Sequence, residues 1–116
     1  MRANAKKLTV ETGIKFAEAL VEERYVDAHL YLTKSAQQEY TPEKLLTKYQ
    51  NMVDYGSDPV VDGYFHFMAN WPARLPQDIG WVYISISGSY FAEAVTVIVS
   101  DEDGFPKIRE IEWGRP

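Results

Sequence analysis

Residues 80–113 read GWVYISISGSYFAEAVTVIVSDEDGFPKIREIEW, and this stretch decides the fold. It predicts three β-strands in series, with one turn near Gly88 and another at Asp103-Gly104. In the first strand Val82, Ile84 and Ile86 face one way, while Trp81, Tyr83, Ser85 and Ser87 face the other, the period of two that marks a strand with one buried side. In the second, Ala92 to Ser100, the residues Val95, Val97 and Val99 alternate with Ala94, Thr96 and Ile98. Both of its faces are apolar, so this strand is expected to be central and covered on both sides. Asp101-Glu102-Asp103-Gly104 reads as a solvated turn, in which Gly104 can take the positive φ of a tight reversal. The last strand sets Ile108, Glu110 and Glu112 against Arg109, Ile111 and Trp113. A sheet of this size has a face that must be covered by something else.

The preceding chain supplies the cover. Residues 60–71, VVDGYFHFMANW, predict one more strand. Its odd positions Val61, Phe65, Phe67, Ala69 and Trp71 are expected on the core side, leaving Asp62, Tyr64, His66, Met68 and Asn70 on the other. Pro72 to Asp78 is an irregular connection. Before Val60 the pattern is helical. Thr9 is the expected N-cap of a first helix with Val10, Ile14, Ala17, Leu20 and Val21 on its apolar face. A second helix is expected over Tyr25 to Leu32, loosening at Thr33-Lys34-Ser35. The third opens on Thr41-Pro42-Glu43, with Thr41 as N-cap, Pro42 at the first helical position and Glu43 at the positive end of the helix dipole. Leu45, Tyr49, Met52 and Val53 mark its buried side, and Gly56 its end. Residues 1–7 are read as a disordered lead. The expected architecture is one α+β domain over residues 1–116, with three N-terminal helices packed on a curved antiparallel sheet of four to six strands.

Composition narrows the function classes. The chain has 116 residues, 46% hydrophobic and 25% charged, as a single globular domain requires. It has no cysteine, which excludes a disulfide scaffold, a zinc ribbon and a thiol nucleophile. Net charge is −5, from seventeen acids and twelve bases, and no basic run exceeds Lys6-Lys7, so nucleic acid is not an expected partner. No run reaches the roughly 18 apolar residues of a membrane span, and the N-terminus lacks a signal-peptide core, so a cytoplasmic setting is expected.

Three helices followed by a bent antiparallel sheet resemble the nuclear-transport-factor-2-like, or cystatin-like, superfamily of cone-shaped domains. Tyr25-x-x-Ala28-x-x-x-Leu32-Thr33 is similar to its short second helix, and Thr41-Pro42-Glu43-Lys44-Leu45 followed by Tyr49 to its third. The long C-terminal strands ending in Ile111-Glu112-Trp113 resemble its closing sheet, and the likeness spans Leu8 to Gly114. Within that superfamily, the tail from Glu93 to Val99 and from Ile108 to Pro116 resembles immunity proteins encoded beside bacterial polymorphic toxins. The superfamily includes enzymes, carriers and binding modules, so the fold alone implies no activity. The immunity likeness implies a bacterial protein that neutralises a toxin by binding it.

Two candidate sites follow. An isomerase- or cyclase-like enzyme needs a carboxylate or His base and a Tyr to hold an oxyanion. The set Asp62, Tyr64 and His66 offers these about 7 Å apart along one strand face. Parity opposes it, because Phe65, Phe67 and Trp71 make the better core face. The binding reading uses the same face as a surface: Tyr64, His66, Met68, Trp81 and Tyr83 have the composition of an interface centre. Its occupant is either a foreign protein, such as a basic toxin domain steered by the acidic charge, or a homodimer mate. His29 and His66 sit in no metal-ligand spacing, and Asp101, Glu102 and Asp103 lack that of a calcium loop. No cofactor and no metal are expected, and the balance leans away from an enzyme.

Overall fold

The computed structural model describes residues 4–53 and 58–115. Its element order is α1 (Ala5–Val21), α2 (Tyr25–Leu30), α3 (Lys34–Glu39), α4 (Pro42–Val53), β1 (Val60–Met68), β2 (Asp78–Ser87), β3 (Ala92–Glu102) and β4 (Phe105–Trp113). The strands form one antiparallel sheet in the order β1-β2-β3-β4, each beside its neighbour in sequence. Fold class and strand series match expectation; the helix count does not. Thr33, expected to loosen the second helix, accepts from the Ala36 N–H at 3.1 Å and caps a separate short helix. Among the described residues there are four helices where three were expected.

The other helix boundaries divide by whether their signal was local. Thr41 accepts from the Lys44 N–H at 3.2 Å, and α4 starts at Pro42 and buries Leu45, Tyr49, Met52 and Val53 as its spacing predicted. The expected stop at Gly56 lies outside the described residues. Helix α1 begins at Ala5, ahead of Thr9, so residues 5–7 are helical and Thr9 is a buried position within the helix. The buried line of α1 is Thr9, Gly13, Phe16, Ala17 and Leu20, while Val10, Ile14 and Val21 flank it, half covered. Small residues lead because α1 lies close against the sheet.

That closeness is measurable at two glycines. A Cβ on Gly13 would stand 2.6 Å from Ile84 Cδ1 and 2.8 Å from Val82 Cγ1. A Cβ on Gly80 would run into Thr9 Oγ1 and stand 2.7 Å from both Thr9 Cγ2 and Phe67 Cε1. Beneath α1 the inward residues Val82, Ile84 and Ile86 of β2, Val95, Val97 and Val99 of β3, and Ile108 and Ile111 of β4 are all buried. They form the core with Phe16, Leu20, Leu32 and Leu45.

Three irregularities shape the sheet. Register shifts between Val61 and Phe65, where Gly63 takes φ 94°. It shifts again at Ile79, between Asp78 and Gly80 of β2, and at Arg109, which has no partner on β3 while Ile108 pairs with Val99 and Glu110 with Ile98. The bulge at Arg109 overturns the expected alternation in β4: Ile108 and Ile111 both face the helices, and Glu110 and Glu112 face away. Strand β1 ends at Met68 rather than Trp71, because the chain turns at Trp71, whose carbonyl accepts from the Arg74 N–H at 3.2 Å.

Replacing Gly80 by Ala is expected to cost about 1–3 kcal/mol, since the short, β-branched Thr9 side chain has no room to retreat. Urea unfolding would show it as a lower midpoint with an unchanged slope.

Candidate functional site

The helices pack on one side of the sheet. On the other, the register assembles two rows of side chains across all four strands. One row runs His66, Tyr83, Thr96, Glu112; the next runs Met68, Trp81, Ile98, Glu110. Tyr64 stands edge-on to Tyr83 with ring centroids 6.1 Å apart, and His66 meets Trp81 in the same way at 6.1 Å. Tyr64 is 62% exposed, and Trp81 and Tyr83 are half covered. Thr96 is buried between Tyr83 and Glu112, Ile98 between Trp81 and Glu110, and Ala94, opposite Ser85, is buried as well. Strand β3 is interior to the sheet, as expected, and both of its faces are buried, but helices cover only one of them. Among the described residues no further layer supplies the expected second cover. All five residues expected to make an interface centre lie on this one surface.

Acids border the aromatic half. Glu110 and Glu112 project from β4, and Asp62 from β1. The two rows contain neither lysine nor arginine. Arg109 stands beside Glu110, at 3.1 Å from its Oε1, and is committed to a second carboxylate.

That second carboxylate is Asp78, buried at the first position of β2. Arg109 donates from Nε to Asp78 Oδ1 at 2.7 Å and from Nη2 to Oδ2 at 2.8 Å, a two-pronged ion pair. The Ser100 hydroxyl donates to Oδ1 at 2.5 Å and the Leu75 N–H to Oδ2 at 2.8 Å. Arg74 donates to the Asp78 carbonyl at 2.8 Å, and its guanidinium lies 5.8 Å from the centre of the Trp71 ring. The connection between β1 and β2 is thereby fastened across one end of the outer face. Sequence reasoning passed over Asp78, Ser100 and Arg109. The one available signal was an aspartate opening a strand after a proline-bounded loop; its partners are 22 and 31 residues away.

The proposed catalytic set has a different geometry. Asp62 accepts from the Ser85 hydroxyl at 2.7 Å and from the Tyr64 N–H at 3.0 Å. Burial pushes its carboxyl up, but donation from Ser85, Tyr64 and Ser87 outweighs this and holds it below the usual range. An occupied, acidified carboxylate is a weak proton acceptor. Asp62, Tyr64 and His66 stand on the exposed face, and the space between helices and sheet is filled by the core. His29 lies on α2, its Nε2 3.2 Å from the Gln37 carbonyl, while Gln37 Nε2 donates to the His29 carbonyl at 3.0 Å. This pair ties α2 to α3. Among the described residues, no helix is long and apolar enough to cross a membrane.

No protein-family model matches this chain, and neither curated proteins nor solved structures give a significant match.

Burial pushes the Asp78 carboxyl up, but Arg109, Ser100 and the Leu75 N–H prevail and hold it below its ordinary value. Its stabilising effect is therefore complete above the unfolded pKa of about 3.9 and is lost as pH falls through the lower native value. Asp78→Asn is expected to cost about 3 kcal/mol near neutral pH. Urea unfolding as a function of pH should also show a shallower loss of stability below about pH 4 in this variant than in the wild type.

Proposed function

We propose that this chain is a protein-binding module that works through the outer sheet face, as an immunity-type inhibitor that occludes a toxin bearing a basic surface. The observation that carries this reading is the pair of side-chain rows: His66 and Met68 on β1, Tyr83 and Trp81 on β2, and acids on β4, with neither lysine nor arginine among them. Tyr64, Trp81 and Tyr83 act as anchors, because aromatic side chains offer large contact area at little entropy cost. Asp62, Glu110 and Glu112 steer a positively charged partner toward them. The immunity assignment and the nuclear-transport-factor-2-like ancestry rest on the sequence segments alone and form part of the proposal. The isomerase-like alternative has less support, since Asp62 is engaged by three donors and its neighbours stand in the open.

The test is growth rescue. A toxin-like gene adjacent to the one encoding this chain is expressed with and without it. Rescue by the wild type is expected, with Trp81→Ala and Tyr83→Ala each weakening binding of the purified toxin by about 30-fold or more while staying folded. Absence of any toxic neighbour, or full rescue by both variants, would overturn the reading.

A further inference from the structure

The two edges of the sheet are treated differently. Along β4, the segment between α2 and α3 pairs with the strand: Leu32 bridges Ile108, the Thr33 N–H donates to the Ile108 carbonyl at 2.8 Å, and the Ile108 N–H donates to the Tyr31 carbonyl at 2.8 Å. Lys107 Nζ adds a bond to the Leu30 carbonyl at 2.8 Å. Along β1, no strand among the described residues occupies the free side. The regular part of that edge, Tyr64–Met68, reads YFHFM, without a lysine, proline or acid. Lone proteins guard such edges with one of these residues or with a covering segment. Here the bulge at Gly63 only marks where the unguarded run begins.

We propose that this edge joins two copies of the chain by antiparallel pairing of Tyr64–Met68 with the same segment of the second copy. The inference is independent of the outer-face reading. A two-fold axis through His66, perpendicular to the sheet, sets Phe65 against Phe67 of the second copy and Tyr64 against Met68 of the second copy. The two His66 side chains meet at the axis, the contacts on either side of them are largely apolar, and side-chain faces are preserved across the join. Phe65, 38% exposed, gains a neighbour on the helix side.

Charge on α1 selects a second copy over another occupant. Phe65 lines a shallow groove of about 420 Å³ with Val10, between Lys6 and Lys7 nearer the helix start and Glu11 one turn further on. The two-fold axis runs α1 of the two copies antiparallel, so the basic start of each, Lys6 and Lys7, lies toward the later, more acidic half of the other, which carries Glu18 and Glu22. An interface that uses one patch twice must be its own complement, and this arrangement of charges is.

Sedimentation over a dilution series tests the pairing, together with amide exchange at low and high protein concentration. The wild type is expected to dimerise, with concentration-dependent protection confined to residues 64–68. Phe65→Lys should raise the dissociation constant at least about tenfold, by burying a charge at the join. If that variant loses its fold by circular dichroism, the wild-type exchange pattern decides alone. A wild type that stays monomeric at millimolar concentration would overturn the proposal. So would a dimer indifferent to a folded Phe65→Lys, or protection centred on Trp81 and Tyr83, which would place the copies face to face.

Discussion

The carboxylate of Asp78 is the point at which the sheet and its longest connection are joined. It draws one donor from β3, a forked pair from β4 and a backbone N–H from the β1–β2 connection. A carboxylate removed from water is tolerable only when its lone pairs are filled, and here each oxygen receives two donors. The bulges at Ile79 and Arg109 flank the same stretch of β3, and this is how two strands that do not touch bring their side chains together over Ser100. Without those irregularities Arg109 would follow strict alternation and point toward the helices. The ion pair and the distorted strands therefore belong to one device, and that device fixes where the outer face ends.

The asymmetry of the sheet follows from what lies on each side. Under α1 the side chains are branched and aliphatic, and glycines at 13 and 80 let the helix settle onto them. On the other side the same strands carry rings, short polar groups and acids in register. Aromatic side chains grouped on an uncovered sheet are costly to keep in water unless something occupies them. Their position on β1 and β2, away from the acids of β4, makes the surface graded rather than uniform.

Local chemistry was legible in the residues, and long-range geometry was not. Thr41-Pro42-Glu43 announced a helix start because capping is decided within four residues, and the Asp103-Gly104 reversal formed, with φ of 55° and 88°, for the same reason. The alternation in β2 gave both faces correctly, since that strand is regular from Gly80 onward. Thr33 was ambiguous because one hydroxyl can break one helix or cap the next, and which it does depends on the contact with Ile108 at the far end of the chain. The α1 face was displaced because helix periodicity weighs valine and isoleucine above glycine and threonine, whereas close approach to a sheet selects the small ones. The inward side of β1 was identified by parity, yet Phe65 stays partly exposed because an edge strand has a neighbour on only one flank. The Asp78 cluster left only an aspartate at the head of a strand as its mark in the sequence, since no periodicity encodes a bulge.

The strip of chain between α2 and α3 has a consequence for how far this molecule can assemble. By occupying the β4 margin at Ile108 with Tyr31, Leu32 and Thr33, it leaves the β1 margin as the one open along its length among the described residues. Strand addition that could continue at both margins would propagate head to tail and build a filament without limit. With one margin plugged, any addition at the other is terminal, and the product has a fixed size. A three-residue stretch whose Leu32 is anchored in the core thus also acts as a chain terminator for polymerisation.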